Sequence, residues 1–376
     1  MTKYILFASL MLLLFAGTEC KKEPPVVPPD NPTDTTSSNF VLLRIDTLGG
    51  PFSTAQCVDI VDENNIWVGG SFSTAYSDST GNLDSSFNVA HWDGSQWNYL
   101  RILMAGQPGW TGGHPGPAAL QAIKVFDENH IIALSQYSSL AVWNGTDWHT
   151  EYIDSNAIHQ MFARSPNEVY FVGQQGVVAR WNGSSLEKMN SGTKVRLLDV
   201  WGDEKWIFAT GEPLSGDDPS ETAFTAYTSA WEVYNEYNLL DTNSRSLNQY
   251  VGGMRSVYRK SENSKLWLLG SSIVDNQVKQ ALYEISSLSP FRANLFFVVN
   301  QPIDALRVRG NSDNDLFIPG IISGQFYHFN GKRWSFIVPS LSFFVTYGFS
   351  VKGDIVVSVG DADAIGAKAI VVISKR

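Results

Sequence analysis

Short apolar runs separated by small polar residues recur along the chain from about residue 55 to the C-terminus. Each run holds five to seven mostly β-branched and aromatic residues and is bounded by Asp, Asn, Gly or Ser. This is the pattern of short β-strands joined by tight turns. No stretch outside the first twenty residues keeps a helical period. The pattern therefore predicts an all-β chain.

The predicted strands belong to a repeat that recurs seven times. Each copy has an alternating strand, a tight polar turn, an apolar run that often ends in Gly, and then a second hairpin. Asn-Gly and Asp-Gly adopt the positive φ that a two-residue hairpin turn needs, so these dipeptides mark the second hairpin. They are Asp93–Gly94, Asn144–Gly145, Asn182–Gly183 and Asn330–Gly331.

Four short antiparallel strands cannot bury both faces of their sheet alone, so the units are expected to stack around an axis. The predicted fold is a β-propeller of seven four-stranded blades. The seventh copy has only three strands, and residues 40–47 have no partner beside the first copy. We predict that this N-terminal strand joins the C-terminal blade and closes the ring. Six or eight blades remain alternatives, because the fourth and fifth copies are degenerate.

Over roughly residues 55–376 the repeat resembles the degenerate kelch or galactose-oxidase-type repeats of secreted bacterial propellers. The first copy has the Gly69–Gly70 doublet of kelch, whereas the other copies keep one Gly or none. No motif matches the copper site of galactose oxidase. The resemblance implies the fold and not an activity.

The N-terminus has the features of a secretory signal. Lys3 precedes an apolar run of eleven residues, 5–15, which is too short to span a bilayer. Small residues and then Cys20 follow, as in bacterial lipoprotein signals, and this resemblance implies that Cys20 becomes the lipidated N-terminus. The alternative is cleavage after Thr18, with Cys20 as an ordinary thiol.

A Pro-, Thr- and Ser-rich segment separates this signal from the repeats. We therefore divide the chain into a signal peptide (1–19), a tether (20–38) and a propeller domain (39–376). A largely extended tether would reach about 40–55 Å. The residues that follow Cys20 resemble lipoproteins of the Bacteroidota, which implies anchoring at the outer membrane of the cell envelope, with surface exposure as a further expectation.

Composition narrows the range of partners and reactions that the sequence allows. The chain has 27 Lys and Arg against 37 Asp and Glu, a net charge of −10, which disfavours nucleic acid as a partner. The six His residues show no metal-binding spacing, and no nucleophile-elbow or phosphate-loop motif occurs. We therefore expect no metal and no cofactor, and we predict no catalytic residue. With Cys20 lipidated, Cys57 is a lone thiol that we expect to be buried and inert.

Connection lengths indicate a binding face. In an antiparallel blade, the first-to-second and third-to-fourth connections share one face, here called the short-turn face. The other connections share the opposite, long-connection face. The long segments all belong to this second group: 71–88, 101–119, 212–228, 240–253, 271–279 and 361–367. Long loops on a rigid scaffold often carry binding residues.

Acidic and aromatic residues in these segments are the candidate ligand-binding set: Tyr76, Asp78, Trp110, His114, Asp217, Asp218, Phe224 and Tyr227. Trp110 lies in a Gly- and Pro-rich stretch beside His114, where it could form a platform for a sugar ring. The alternative is that these loops are solvated and that Trp110 packs on a blade. The aromatic residues repeated around the hairpin turns are expected to pack between blades.

We expect a membrane-tethered binding module that presents the long-connection face to a glycan or a protein. One alternative is a propeller glycoside hydrolase or polysaccharide lyase, which needs two carboxylates converging at the channel mouth. Another is a structural subunit of an envelope complex.

Overall fold

The computed structural model describes residues 37–74, 86–108, 116–212, 221–238, 252–274, 277–300, 305, 307–339, 344–362 and 368–376. These residues form a seven-bladed β-propeller in which every blade is a four-stranded antiparallel sheet. The fourth and fifth copies, which are degenerate in sequence, both form full blades.

The strands run in chain order. Strand β1 is Val41–Leu48. Blade 1 consists of β2 (Thr54–Asp62), β3 (Asn65–Ser73), β4 (Ser86–Trp92) and β5 (Trp97–Leu100). Blade 2 consists of β6 (Leu120–Asp127), β7 (His130–Ser135), β8 (Ser139–Trp143) and β9 (Trp148–Tyr152). Blade 3 consists of β10 (Ile158–Ser165), β11 (Glu168–Gly173), β12 (Val177–Trp181) and β13 (Leu186–Asn190), with a short 3-10 turn at Gln174–Gly176.

Blade 4 consists of β14 (Leu197–Gly202), β15 (Ile207–Gly211), β16 (Glu221–Tyr227) and β17 (Trp231–Asn238). Blade 5 consists of β18 (Gly252–Tyr258), β19 (Leu266–Val274), β20 (Gln277–Ser287) and β21 (Arg292–Val298). Blade 6 consists of β22 (Arg309–Ser312), β23 (Asp315–Pro319), β24 (Phe326–Phe329) and β25 (Trp334–Ile337). Blade 7 consists of β26 (Val345–Lys352), β27 (Ile355–Asp361), β28 (Ala369–Lys375) and β1.

The ring closes as predicted. Strand β1 pairs antiparallel with β28 and is the outer strand of blade 7, so the N-terminal strand completes the C-terminal blade. The first strand of every blade is innermost, and these seven strands surround a central channel.

Within the described ranges, the hydrophobic core consists of seven clusters, one between each pair of neighbouring blades. The cluster between blades 7 and 1, for example, joins Val357 and Val371 to Val68 and Ala90, all of them buried. Each blade therefore buries both faces of its sheet only by packing on its neighbours, which is why the fold requires a closed ring.

The inner strands share an irregularity near their N-terminal ends. In blades 1, 2, 3, 4 and 7 the register with the second strand shifts by one residue, which inserts one extra residue into each inner strand. These residues are Gln56, Gln121, His159, Leu198 and Tyr347. Such β-bulges bend a strand and increase its twist. Here they place one extra residue at the same level of several inner strands.

Both ends of the propeller domain are fixed to blade 6. Arg376 forms a bidentate ion pair with Asp315, with N–O distances of 2.8 and 2.9 Å. The buried His328 bridges Asp315, at 2.7 Å, and the Ser38 hydroxyl, at 2.9 Å. Phe40 packs edge-on against the His328 ring. We call Ser38, Phe40, Asp315, His328 and Arg376 the terminal clasp.

Candidate functional site

The short-turn face consists of tight hairpin turns fixed by their own side chains. Asp93 accepts hydrogen bonds from the backbone N–H of Ser95 and of Gln96, at 2.8 and 2.9 Å. A hydrogen bond from the Ser95 hydroxyl, at 2.7 Å, and these backbone bonds hold the pKa of Asp93 well below its ordinary value. Gly94 adopts φ of 90°, the left-handed conformation that such a turn needs. Turns built in this way leave little variable chain for ligand contacts.

The opposite face carries the long connections. Strand bounds place residues 74–85 between β3 and β4, and residues 101–119 between β5 and β6. Residues 212–220 and 239–251 join strands on the same face. The predicted one-sided distribution of long connections is confirmed.

Two of the predicted connections were wrong in extent. Residues 271–279 lie mostly within β19 and β20, which leaves only residues 275–276 between these strands. The predicted connection 212–228 ends at β16, which begins at Glu221. In both cases the strands continue into polar residues beyond the apolar run that predicted them.

Six of the eight candidate ligand-binding residues lie outside the described residues: Tyr76, Asp78, Trp110, His114, Asp217 and Asp218. So do Cys20 and most of the tether. Binding by these six residues, and lipidation of Cys20, stay predictions.

The other two candidates belong to β16 rather than to a loop. Phe224 is fully buried, with its ring 6.0 Å from Phe208 and 5.3 Å from Phe291, so its placement on an accessible surface was wrong. Tyr227 ends β16 on the short-turn face and packs beside Tyr170 and Trp231. Because β16 starts before both residues, neither reaches the long-connection face.

The repeated aromatic residues pack as expected. Trp143 and Trp148 face each other across a hairpin at 5.4 Å, and Phe329 and Trp334 do so at 5.2 Å. Trp181 of blade 3 stacks on His149 of blade 2. These contacts join strands and blades, so repetition here reflects packing.

The central channel encloses a cavity of about 280 Å³ lined by all seven inner strands. Its charged residues were not predicted from the sequence, because in the part of the chain that the structure describes no blade contributes more than two of them and three blades contribute none. Two positions of the inner strand, two residues apart, hold the charged groups of the channel wall. The first holds Cys57, Ala122, Gln160, Asp199, Ser256, Arg307 and Gly348. The second holds Asp59, Lys124, Phe162, Trp201, Tyr258, Arg309 and Ser350.

Most of the charged residues in the channel form ion pairs with a residue of another blade. Asp59 accepts from Lys124 Nζ, at 3.1 and 3.2 Å, and from the backbone N–H of Val125 at 2.8 Å. Asp199 pairs bidentately with Arg309, at 2.7 and 3.1 Å, and accepts from the Ser256 hydroxyl at 2.6 Å. Both carboxylates are therefore engaged by cations.

Arg307 is the exception. It lies in the wall of the cavity, and within the described ranges its guanidinium forms no hydrogen bond and no ion pair. Burial lowers the pKa of Arg307 from its ordinary value, and the nearby Arg309 adds to this, although Asp199 opposes it. An arginine side chain stays protonated in proteins, so an uncompensated positive charge remains in the channel.

Cys57 is buried in the channel wall, as expected for an inert thiol. Burial raises its pKa to about 12, so little of the reactive thiolate forms near neutral pH.

The described part of the chain contains no group of three or more His, Cys, Asp or Glu side chains arranged to hold a metal ion. Nor does any helix in those ranges have the length and hydropathy needed to cross a bilayer.

Comparison with known proteins supports the fold alone. No protein-family model matches the chain, and no curated protein matches it. Among solved structures, the chain is similar to an inactive variant of virginiamycin B lyase from Staphylococcus aureus with quinupristin. The two share 9% sequence identity over 90% of this chain and 100% of that one, and the TM-score is 0.60. It is also similar to YCF48 bound to D1 peptide, at 12% identity, covering 90% and 98%, with a TM-score of 0.56. The WD40 repeats of RRP9 match at 11% identity, covering 90% and 99%, with a TM-score of 0.54. The class of protein is therefore a seven-bladed β-propeller.

Proposed function

We propose that this protein is a membrane-tethered binding module of the cell envelope, in the manner of a Bacteroidota-type surface lipoprotein with kelch-like repeats. Its long-connection face contacts a glycan or a protein partner. The observation that carries this proposal is the position at which the chain enters the ring, considered together with the position of the long connections.

The chain enters on the short-turn face. Strand β1 is the fourth strand of blade 7, and every fourth strand runs from the short-turn face to the long-connection face. Val41 therefore lies on the short-turn face, as does Arg376 at the end of β28. A tether attached to a lipid at Cys20 would hold this face toward the membrane and turn the long connections outward.

Charge pairing in the channel favours binding over glycoside hydrolysis. A hydrolase needs one carboxyl group as acid and a second as base or nucleophile. Asp59 and Asp199 are both held by cations, so neither is free to act on a bound sugar. Asp78, Asp218 and Asp363, the carboxylates considered at the channel mouth, lie outside the described residues.

Glycan binding is tested with the full-length chain on immobilised bacterial and plant polysaccharides. A Tyr76→Ala/Trp110→Ala variant should lose most of the binding, because it removes aromatic rings of the long-connection face. The matched control is Lys332→Ala/Arg333→Ala, which alters an exposed turn of the short-turn face and should bind normally. Equal binding by both variants would place the ligand elsewhere, and binding to no polysaccharide would reject the glycan form of the proposal.

Tethering is tested separately by metabolic labelling with palmitate. The wild-type chain should incorporate the label and sediment with membranes, whereas Cys20→Ser should do neither. Labelling of Cys20→Ser at the wild-type level would show that the anchor is not this residue.

A further inference from the structure

We propose that the central channel holds a small organic carboxylate, bound by Arg307. This site is separate from the long-connection face, and its occupancy does not depend on a glycan or protein partner.

The unpaired charge is the first reason. Among the described residues, the channel and the wall behind it contain three cations, Lys124, Arg307 and Arg309, against the two carboxylates of Asp59 and Asp199. Four of these groups form two ion pairs, which leaves Arg307 alone among the described residues. Arg307 is half-buried in the cavity wall. A partly desolvated charge without a partner is costly, and a bound anion reduces that cost.

The space around Arg307 is the second reason. Starting from blade 6 and moving around the ring, the next three inner strands place Gly348, Cys57 and Ala122 at the level of Arg307. These small side chains leave the cavity open beside the guanidinium. Gly348 is also sterically required, because a Cβ there would lie 2.8 Å from the backbone oxygen of Gln56. The room beside Arg307 is therefore part of the packing of the ring.

The chemistry of the walls identifies the anion class. Val58, Ile123, Met161 and Phe349 line the cavity together with the charged groups, so it suits a ligand with an apolar part. One unpaired guanidinium balances one negative charge and can hold a carboxylate through two parallel hydrogen bonds. Phosphate near neutral pH carries more than one charge, so a monocarboxylate fits the balance better. A cavity of about 280 Å³ limits the ligand to a small molecule.

Benzoate and its neutral isostere benzamide are the probes. The full-length chain is followed by thermal unfolding at constant ionic strength. Benzoate should raise the Tm in a saturable way, whereas benzamide should not, because only benzoate carries the charge that Arg307 needs. No saturable shift with benzoate, or equal shifts with both probes, would overturn the proposal. A saturable shift with inorganic phosphate but not with benzoate would overturn the carboxylate assignment.

Arg307→Met distinguishes a binding role from a structural one. Removing an unpaired, half-buried charge should leave the Tm without ligand unchanged or higher, and should weaken benzoate binding by about tenfold or more. Arg333→Met, an exposed arginine on the short-turn face, is the control and should keep the full benzoate shift. A lower Tm for Arg307→Met would indicate that Arg307 is paired within the protein. Benzoate binding unchanged in this variant would likewise reject the assignment.

Discussion

The buried ion pair between Asp199 and Arg309 links blades 4 and 6 through the channel. The side chain of Asp199 is only 1% exposed, and Arg309 also stacks over Trp201, with 4.4 Å from its guanidinium carbon to the ring centroid. Breaking such a pair leaves a buried charge without compensation. The pair therefore makes the inner ring sensitive to single substitutions.

Arg309→Met should lower the free energy of unfolding by about 3–5 kcal/mol, measured by urea denaturation. The control is Lys124→Met, which removes the partner of Asp59. Lys124 is 38% exposed, and Asp59 keeps its bond from the Val125 N–H, so the loss should be about 1 kcal/mol. Equal losses in the two variants would contradict the difference in burial.

Cys57 should resist alkylation in the native protein. Because burial raises its pKa to about 12, iodoacetamide at pH 8 should modify it only after unfolding. The unfolded thiol ionises at lower pH than the folded one, so its contribution to stability is present at neutral pH and falls as the pH rises above about 9. Mass spectrometry of native and urea-treated Cys20→Ser protein measures this. Rapid native labelling would show that the channel wall opens.

At the residue level, the sequence predicted packing better than it predicted the channel. Trp143 and Trp148 flank a recognisable turn, so their contact follows from local sequence. Asp199 and its partner Arg309 lie 110 residues apart in the chain, and neither they nor Arg307 belong to a motif. The available signal was the repeat alignment: the column holding Val58, Ile123 and Val308 is uniformly apolar, whereas the columns on either side of it vary and hold the charges.

The packing around the end of the second strand explains why the repeat has glycine there. In blades 1, 3, 4 and 7, a Cβ at this position would collide with a backbone carbonyl of the inner strand, beside the bulge. In blade 4 the glycine is Gly211, and the collision would be with the carbonyl of Arg196. The close approach of the two backbones, rather than a turn conformation, selects glycine here.

Gly211→Ala should therefore destabilise the protein by about 1–3 kcal/mol, because backbone must move to admit the methyl group. Gly353→Ala is the comparison, since no atom lies within 4 Å of its added Cβ and only its positive φ opposes the change. That variant should lose about 1 kcal/mol. Thermal unfolding ranks the two, and a larger loss for Gly353→Ala would show that the bulge relaxes easily.

The presence of a strand was easier to predict from the sequence than the residues at which the strand ends. The tight turns are fixed by Asp or Asn and Gly, which act locally, so the hairpins on the short-turn face were predicted well. Strand β19 continues to Val274, and strand β20 begins at Gln277. Both bounds lie outside the apolar runs that predicted these strands. Backbone pairing extends there with little burial, and Val278 is 70% exposed. An apolar pattern cannot mark the end of such a strand.

For the whole molecule, the ring depends on contacts between residues far apart in the chain. Sequence predicted the closing strand because a blade with three strands and a strand without a partner complete each other. It did not predict the terminal clasp, because Ser38, His328 and Arg376 meet only after the ring has closed. The clasp holds both ends of the propeller domain on blade 6, so it should affect global stability.

Arg376→Ala should lower the free energy of unfolding by about 3–5 kcal/mol at pH 7, because it leaves the buried Asp315 without its bidentate partner. Arg292→Ala, at an exposed position, is the control and should change stability by less than about 0.5 kcal/mol. A loss for Arg376→Ala as small as that of the control would mean that the clasp does not hold the ring closed.

The pH dependence of this loss tests its electrostatic cause. Burial tends to raise the pKa of Asp315, but hydrogen bonds from His328, Arg376 and Asn311 outweigh it, so its pKa lies below the ordinary value. Asp315 therefore stabilises the fold above the unfolded-state pKa of about 4, and this contribution disappears as the pH falls through the folded-state pKa. Without Arg376 the folded-state pKa rises and less stability is lost in acid. The difference between wild type and Arg376→Ala should shrink on going from pH 7 toward pH 3, and a constant difference would assign the loss to packing against Phe40 instead.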